Sequence, residues 1–258
     1  HEFFGLSPQQ VSFFQQKTLP FLDSQKKLFL ETPWKLAEGP NGNGRSLHEV
    51  YHSGIWGQWW DSGIKHLNFI QIDNPLADPF DAELLGYHQE NNNEVTIKCT
   101  DRQNPEEKVG IIVTHNGKTK VIEYSEISKT ELHSLDSEGN YKHPCANLSL
   151  FCFSMNFIKK ISQEESESPL HLAYKAVKYL NSDGKTSPSS TPNAWKFETF
   201  IFDVLAFANH VKAIVYPREH SFSPLKGLTG THSIYSVRAS LLERERHLFA
   251  SVSGYLPD

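Results

Sequence analysis

The stretch HLNFIQIDNP, residues 66–75, decides the fold class. Residues 66–72 have the length and apolar content of a buried strand, and Asp73-Asn74-Pro75 then breaks it. Residues 78–90 have the composition of a helix, and residues 94–99 form the next apolar run. A strand, a helix and a second strand in this order predict an α/β fold.

The same alternation continues on both sides of that stretch. Further strands are predicted at residues 28–30, 109–114, 120–124, 148–153 and 211–216. Further helices are predicted at residues 7–16, 46–61, 197–209 and 236–249. Asn116-Gly117 carries a hairpin signal between two of the strands. Together these elements predict a mixed, mostly parallel sheet flanked by helices.

Composition argues against several functional classes. The chain has 258 residues, a net charge of -5 and a pI of about 6.2, with no basic stripe for nucleic acid. No apolar run approaches the ~20 residues of a membrane helix, and the first residues lack a signal-peptide pattern. The 3 cysteines form no Cys-x-x-Cys motif, which favours a reducing cytoplasm, and the 13 histidines show no zinc-site spacing.

Two segments are too rich in glycine, proline or serine for regular structure. The backbone of residues 39–44, GPNGNG, could cradle a flat base or a phosphate, because glycines allow positive φ and expose N–H groups. An ordinary turn is the alternative for this loop. Residues 181–194, NSDGKTSPSSTPNA, predict a mobile loop.

Three charged side chains could carry chemistry. Asp73 could hold Mg²⁺ against phosphate oxygens, because Mg²⁺ prefers hard oxygen ligands, or it could cap the following turn. Glu123 could accept hydrogen bonds from vicinal sugar hydroxyls, or it could be a solvated charge. Lys226 ends the segment REHSFSPLK and could neutralise a phosphate, or it could be a lone surface lysine.

Eight short blocks follow one another along nearly the whole chain, between Phe13 and His247. They are FFQQ..LP at 13–20, PNGNG at 40–44, IDN at 72–74, VG at 109–110, VIEYSEIS at 121–128, AN at 146–147, NAWKFETFIFDV at 193–204 and FSPLKG at 222–227. In this order they resemble the eukaryotic-type UDP-sugar pyrophosphorylase family. The NGNG loop, in place of a GHG-type loop, favours its UDP-N-acetylglucosamine branch over the UDP-glucose branch.

The resemblance implies a fold and a reaction. The fold is a Rossmann-like sheet of the nucleotide-diphospho-sugar transferase type, with residues 1–258 as one catalytic domain. The reaction is uridylyl transfer, in which UTP and N-acetylglucosamine 1-phosphate give UDP-N-acetylglucosamine and pyrophosphate with the help of Mg²⁺. The sequence shows no nucleophile constellation, and this reaction needs none, because the sugar phosphate itself attacks the α-phosphorus.

The matched blocks also imply roles for individual residues. The implied uridine contacts are Gln16, Gly42 and Asn43. The implied sugar contacts are Gly110, Glu123, Asn147, Phe200 and Phe202. The two phenylalanines would form a wall around the N-acetyl group, although their helical spacing leaves core packing open for at least one of them. The implied catalytic groups are Asp73 as a ligand of Mg²⁺, Lys226 against a phosphate and Lys196 as a second cation.

Two departures from the family matter. The family's N-terminal glycine-rich loop, of the LxGGxGTRxG type, does not occur here, which implies a sheet incomplete at its N-terminal side and weakened catalysis by this chain alone. After Asn147 the chain continues Leu148-Ser149-Leu150-Phe151, where the family tends to carry polar residues and a histidine. Two alternatives therefore stay open: a UTP–glucose-1-phosphate uridylyltransferase, and an inactive or truncated relative that binds a UDP-sugar.

Overall fold

The computed structural model describes residues 1–164 and 168–256. In chain order its strands are β1 (Thr18–Pro20), β2 (Leu30–Thr32), β3 (Lys35–Leu36), β4 (Glu38–Pro40), β5 (His66–Phe69), β6 (Val95–Asp101), β7 (Ile111–His115), β8 (Lys118–Ile122), β9 (Cys145–Ser154), β10 (His171–Lys175), β11 (Tyr179–Leu180), β12 (Thr186–Ser187), β13 (Ala194–Glu198) and β14 (Val211–Val215). Its α-helices are α1 (Ser46–His52), α2 (Ile55–Asp61), α3 (Ala82–Glu90), α4 (Lys129–Leu132), α5 (Met155–Gln163) and α6 (Ile234–Ser253).

The chain divides into two compact units, each built from two stretches of sequence. Unit 1 comprises His1–Ile64 and Ile158–Val204, and unit 2 comprises Lys65–Phe157 and Leu205–Asp258. Among the described residues, no helix combines the length and apolar character needed to cross a membrane.

Unit 2 is built on a six-stranded sheet in the order β14-β6-β9-β7-β8, with β5 also paired to β9. The central strands β6 and β9 are buried along almost their whole length, as expected for strands covered on both faces. Phe151 and Phe153 stack with ring centroids 5.5 Å apart, and Phe153 stacks on Phe157 at 6.3 Å. These three buried rings form part of the hydrophobic core of unit 2.

The sheet confirms the mixed α/β class but not the mostly parallel pairing. Among the described ladders of this sheet, β14 and β6 are parallel, whereas β6–β9, β5–β9, β7–β9 and β7–β8 are antiparallel. Parallel neighbours need a crossover of a dozen or more residues, whereas a hairpin needs two. Asn116 and Gly117, with φ of 51° and 73°, form that two-residue hairpin between β7 and β8 as predicted.

Unit 1 contains short two-stranded sheets and the helix pair α1 and α2. The strand pairs are β1–β4, β2–β3, β10–β13 and β11–β12. The single helix predicted at 46–61 is two helices, because Gly54 takes the left-handed conformation with φ of 82°. Trp56 and Trp60 of α2 stack with ring centroids 5.1 Å apart.

The helix predicted at residues 7–16 is wrong. Pro8–Gln10 forms one 3₁₀ turn with the Ser7/Gln10 capping box in place, and Val11 is already extended. Phe13 and Phe14 are exposed in the structure. A helix here would gain little from burial, and short helices are marginal without it.

The helix predicted at residues 197–209 is also wrong. Its first part is strand β13, which pairs with β10, and its second part is a 3₁₀ helix at Ile201–Phe207. Residues 199–200 lie between the two elements because their N–H groups are bonded elsewhere: Thr199 donates to Asn41 and Phe200 to Asp203. The helical spacing instead reflects burial of Ile201, Val204 and Leu205 along the 3₁₀ helix.

The segment 181–194 has more structure than its composition indicates. Thr186–Ser187 forms β12, which pairs with β11, so the segment includes one arm of a small hairpin. The side chain of Asn181 accepts hydrogen bonds from the N–H groups of Asp183 at 3.0 Å and Lys185 at 2.9 Å. The mobility of this segment stays a prediction.

Candidate functional site

The glycine-rich loop of unit 1 is closed onto the segment that follows β13. Thr199 donates its N–H to the carbonyl of Asn41 at 2.8 Å, and its own carbonyl accepts from Gly44 at 3.0 Å. A Cβ at Gly42 would lie 2.1 Å from the carbonyl oxygen of Thr199, and one at Gly44 would lie 2.6 Å from the Cβ of Thr199. Gly42 and Gly44 are therefore required by the close packing of this loop against Thr199, whether or not a ligand is bound.

The three predicted uridine contacts meet at this loop. The side-chain amide of Gln16 donates to the carbonyl of Gly42, although 26 residues separate them. The side-chain oxygen of Asn43 accepts from the N–H of Ile201 at 2.9 Å. Gln16 is exposed and Gly42 and Asn43 are half-buried, so these three residues are accessible to a ligand.

The two predicted N-acetyl contacts form a stacked pair beside the loop. The rings of Phe200 and Phe202 have centroids 5.1 Å apart and planes 28° apart. Phe202 is 5% exposed, whereas Phe200 is half-buried. Core packing therefore accounts for Phe202, and Phe200 retains a surface that can contact a ligand.

A histidine and an aspartate beside these rings were not singled out from the sequence. His171 contacts the ring of Phe200 at 4.7 Å and that of Phe202 at 6.0 Å. Its Nε2 lies 3.1 and 3.2 Å from the two carboxylate oxygens of Asp203. Asp203 directly follows Phe202, and this position could have marked it as a candidate site residue. Nothing in the sequence pointed to His171.

Lys196, the predicted second cation, lies on β13 and has a carboxylate partner. Its Nζ is 2.8 Å from Glu198, and both side chains are about one-fifth to one-quarter exposed. Residues two apart on a strand point to the same face, which explains the pairing. The positive charge of Lys196 is thus compensated locally.

One edge of the sheet in unit 2 gathers the remaining predicted residues. Strands β14 and β6 run parallel and end at the edge where β7 and β9 begin, and β8 and β5 also run toward it. Asp73 follows β5, Glu123 follows β8 and Lys226 follows β14, while Gly110 precedes β7 and Asn147 lies near the start of β9. The register, with Ile111 opposite both Ala146 and Ile122, places Gly110, Glu123 and Asn147 at this edge. Asp73 reaches it after β5, and Lys226 is brought to Asp73 by contacts of the preceding segment.

Gly110, Glu123 and Asn147 are brought into direct proximity at that edge. The N–H of Asn147 donates to the carbonyl of Gly110 at 2.8 Å. A Cβ at Gly110 would lie 2.9 Å from the Val121 side chain and 3.1 Å from Oε1 of Glu123. Gly110 thus leaves the space that allows the carboxylate of Glu123 to approach the backbone.

Asn147 lies beside an irregularity in β9. Opposite Lys98 and Cys99 the register jumps from Leu150 to Asn147, so Leu148 and Ser149 are additional residues. Ser149 has a φ of 54°, and its N–H donates to the side-chain oxygen of Asn147 at 3.1 Å. Asn147 is 7% exposed, and with its side-chain oxygen bonded to Ser149 its NH₂ is the donor that the side chain still offers.

Asp73 and Lys226 are held near each other by a buried asparagine that was not singled out from the sequence. Asn74 donates its side-chain amide to the carbonyl of Ser221 at 2.8 Å and accepts from the N–H of Ser223 at 3.0 Å. The carbonyl of Asp73 accepts from the N–H of Leu225 at 2.7 Å. Lys226 then places its Nζ 3.8 Å from the Asp73 carboxylate.

This acid–base pair is open to solvent. The side chain of Asp73 is 31% exposed and that of Lys226 is 59% exposed. Among the described residues, the Asp73 carboxylate accepts no hydrogen bond from the following turn, so the capping alternative has no support. Lys226 is also not a lone lysine, because Asp73 is within ion-pair distance.

The surroundings of Asp73 fit one protein ligand of Mg²⁺. No group of three or more His, Cys, Asp or Glu side chains among the described residues is arranged to hold a metal ion. Mg²⁺ usually binds through one or two carboxylates, several waters and substrate phosphates, so a complete protein cage is not required. The exposed carboxylate of Asp73 could supply one such protein ligand.

Sequence comparison supplies the family. A family model described as UTP–glucose-1-phosphate uridylyltransferase (UDPGP) matches residues 2–253. The chain belongs to the UDPGP family. The matched range includes every site residue described above.

Individual relatives within UDPGP carry a more specific name. This UDPGP chain is 35% identical over 233 residues to the "Probable UDP-N-acetylglucosamine pyrophosphorylase" of Schizosaccharomyces pombe, covering 88% of this chain and 49% of the relative. It is 33% identical over 236 residues to the UDP-N-acetylglucosamine pyrophosphorylase of Saccharomyces cerevisiae, covering 90% of this chain and 50% of the relative. The chain therefore spans about half the length of these relatives.

A solved structure agrees with the fold. The UDP-N-acetylglucosamine pyrophosphorylase of Trypanosoma brucei, crystallised with an inhibitor, is similar with a TM-score of 0.83 and 24% identity. The similarity covers 97% of this UDPGP chain and 51% of that chain. Nearly the whole chain thus has the fold of a UDP-sugar pyrophosphorylase.

Proposed function

We propose that this chain binds a UDP-sugar and contributes to the formation of UDP-N-acetylglucosamine and pyrophosphate from UTP and N-acetylglucosamine 1-phosphate. The observation that carries the proposal is the convergence of Gly110, Glu123 and Asn147 at one edge of the sheet. A bare backbone, a carboxylate and an amide side by side are suited to a polyhydroxylated ring.

The sugar would be recognised by complementary acceptors and donors. The carboxylate of Glu123 accepts hydrogen bonds from vicinal hydroxyls, and charged acceptors form stronger bonds than neutral ones. The side-chain NH₂ of Asn147 donates to a ring substituent. Gly110 lets the sugar lie against the backbone because no side chain separates them.

Uridine would be recognised at the glycine loop of unit 1. The amide nitrogen of Gln16 is bonded to Gly42, so its carbonyl oxygen is the group directed to the N3–H of uracil. Asn43 is fixed by Ile201, and the loop is closed by Thr199. A loop held in this way loses little conformational entropy on binding, which favours affinity.

Charge on the phosphates would be balanced by Lys226 and by Mg²⁺ held at Asp73. The ion contributes Lewis-acid screening of phosphate oxygens when it is bound. Lys226 would neutralise charge on the reacting phosphates, since its exposed ammonium lies 3.8 Å from the carboxylate that would hold the ion. Lys196 would be a second cation, drawn from Glu198 by a phosphate.

The N-acetylhexosamine is favoured over glucose for two reasons. The relatives that match this chain over 88% and 90% of its length are named for UDP-N-acetylglucosamine. Phe200 also presents an aromatic surface next to the uridine loop, and an acetyl methyl group gains from such a contact.

The 3 cysteines are all free thiols, which supports placement in a reducing cytoplasm.

The proposal is tested by calorimetry of the purified chain with UDP-N-acetylglucosamine and UDP-glucose, beside an assay for pyrophosphate release. We expect tighter binding of the N-acetylated nucleotide. In the turnover assay, Lys226→Ala should lower kcat by about 100-fold or more, as expected for loss of one charge-stabilising group. Lys212→Ala, an exposed lysine on β14, is the matched control and should leave kcat unchanged.

Three outcomes would decide the matter. Failure to bind either nucleotide would refute the proposal. Equal or tighter binding of UDP-glucose would support the glucose enzyme instead. Binding without pyrophosphate release would assign this chain to sugar-nucleotide binding alone.

A further inference from the structure

His171 is placed against the phenylalanine pair by the pairing of two strands. It is the first residue of β10 and lies opposite Glu198, the last residue of β13. The chain then passes directly into the segment that carries Phe200 and Phe202. The histidine ring contacts both phenylalanine rings, at 4.7 and 6.0 Å.

Asp203 fixes both the histidine and the backbone of one phenylalanine. One carboxylate oxygen accepts from the N–H of Phe200 at 3.0 Å, and the same carboxylate bonds Nε2 of His171. The side chain of Asp203 is 7% exposed and that of His171 is 16% exposed. Hydrogen bonds to a buried carboxylate are strong, so this arrangement sets the orientation of the histidine ring.

We propose that His171 is a positioning residue, which sets the preference for an N-acetylated sugar by orienting the ring of Phe200. This inference rests on the proposed function, in which Phe200 contacts the N-acetyl group. Phe202 is packed in the core, whereas Phe200 is half-buried and has a stacking contact with Phe202 that does not by itself fix its ring. The ring of His171 adds a further contact to the Phe200 ring, and the Phe200 N–H, which donates to Asp203, fixes the backbone.

The alternative is that His171 only fills space in unit 1. The two ideas differ in what its replacement should change. Loss of packing alone weakens every ligand of the unit together with its stability. Loss of orientation changes the ratio of affinities for two sugars that differ at one substituent, while uridine affinity stays constant.

The test measures dissociation constants of UMP, UDP-N-acetylglucosamine and UDP-glucose for the purified chain and its variants. His171→Gln keeps a donor for Asp203 but removes the ring. We expect the preference for the N-acetylated nucleotide to fall by about tenfold, the low end of what one small group contributes in an apolar pocket. The affinity for UMP should not change. His171→Phe restores a ring and should recover part of the preference.

Two further variants calibrate the result. Phe200→Ala should abolish the preference if the ring contacts the acetyl group. His52→Gln is the matched control, because His52 also packs on an aromatic ring of unit 1, at 5.4 Å from Tyr51, and has no role in the site. It should leave all three dissociation constants unchanged.

The outcomes separate this inference from the proposed function. If the unsubstituted chain binds neither UDP-sugar, the proposed function fails and this inference fails with it. If it prefers UDP-N-acetylglucosamine and His171→Gln keeps that preference, the inference alone is overturned. A parallel loss of UMP affinity and of the preference in His171→Gln would also overturn it, because it would show a purely structural role.

Discussion

The glycine loop of unit 1 and the Asp73–Lys226 pair of unit 2 differ in how tightly they are packed and how exposed they are to solvent. The loop is closed by backbone hydrogen bonds to Thr199 and has so little space that a Cβ at Gly42 would overlap a carbonyl oxygen. The charged pair is open, with its nitrogen and oxygen 3.8 Å apart and Lys226 59% exposed.

The difference follows from what each region is proposed to bind. A flat base is recognised by fixed donors and acceptors, so rigidity before binding improves affinity. A phosphate with a metal ion brings its own charges, and the long, exposed ion pair of Lys226 leaves its ammonium able to turn toward them. Stability should therefore depend strongly on the loop and weakly on the pair.

The largest expected effect is that of Gly42→Ala. The new Cβ would lie 2.1 Å from the oxygen of Thr199, and the backbone has a φ of 80°. We expect the free energy of unfolding to fall by about 3 kcal/mol or more, in the range of severe single substitutions. Urea denaturation followed by circular dichroism measures it.

Gly54→Ala is the matched control for that experiment. Gly54 has nearly the same φ, 82°, in the same unit, but nothing lies within 4 Å of its added Cβ. Only the left-handed backbone then contributes, at about 1 kcal/mol. Equal effects of the two alanines would mean that the loop is not closed as described.

An intermediate effect is expected from pH, and it tests the buried interior of unit 2. His88 on α3 is fully buried, and burial, aided by neighbouring His66, lowers the pKa of its imidazole to about 4. The unfolded chain therefore binds the proton first as pH falls below about 6.5, and native stability is lost. Between pH 7 and pH 5 the loss attributable to His88 should be about 2 kcal/mol.

The measurement is the difference between the unsubstituted chain and His88→Gln in urea denaturation at both pH values. Glutamine cannot be protonated, so its stability should fall by about 2 kcal/mol less over this interval. Parallel pH profiles would show that His88 is accessible to protons in the folded state.

The smallest expected effect is that of Lys226→Ala on stability. Exposed ion pairs contribute about 0–1 kcal/mol, so the unfolding midpoint should barely move. Lys98→Ala provides the contrast, because Lys98 forms a 2.6 Å ion pair with Asp81 in which both side chains are about one-tenth exposed. Removing one partner of such a pair leaves a buried charge and is strongly destabilising. A large loss with Lys226→Ala would make Lys226 a structural residue.

The sequence was informative where local rules and the fold agree. The Asn116-Gly117 hairpin, the strands on either side of it and the final helix were predicted because turn chemistry and periodicity specify them directly. The helix at 197–209 was mispredicted because the spacing of its apolar residues fits a helix. In the structure the N–H groups of Thr199 and Phe200 instead donate to Asn41 and Asp203. Asn41 is 158 residues from Thr199, so its tertiary contact cannot be inferred from local spacing, whereas Asp203 is only three residues after Phe200.

The candidate site shows the same division. Gln16, Gly42 and Asn43 meet as expected, and so do Gly110, Glu123 and Asn147. His171 and Asn74 were missed because their importance depends on which side chains they contact after folding. Their residue types alone, one histidine among 13 and one asparagine in a turn, gave no means to select them.

The irregularity beside Asn147 has a consequence for how this edge of the sheet can vary in length. Leu148 and Ser149 are two additional residues, and the side chains of a strand alternate with a period of two. An even excess leaves the phase of the pleat unchanged, so Phe151 and Phe153 keep their side of the sheet. Inserting or deleting one residue here would move every side chain of Leu150–Ser154 to the opposite face of the sheet. Inserting or deleting two residues would change only the segment beside Asn147, where a sugar would lie.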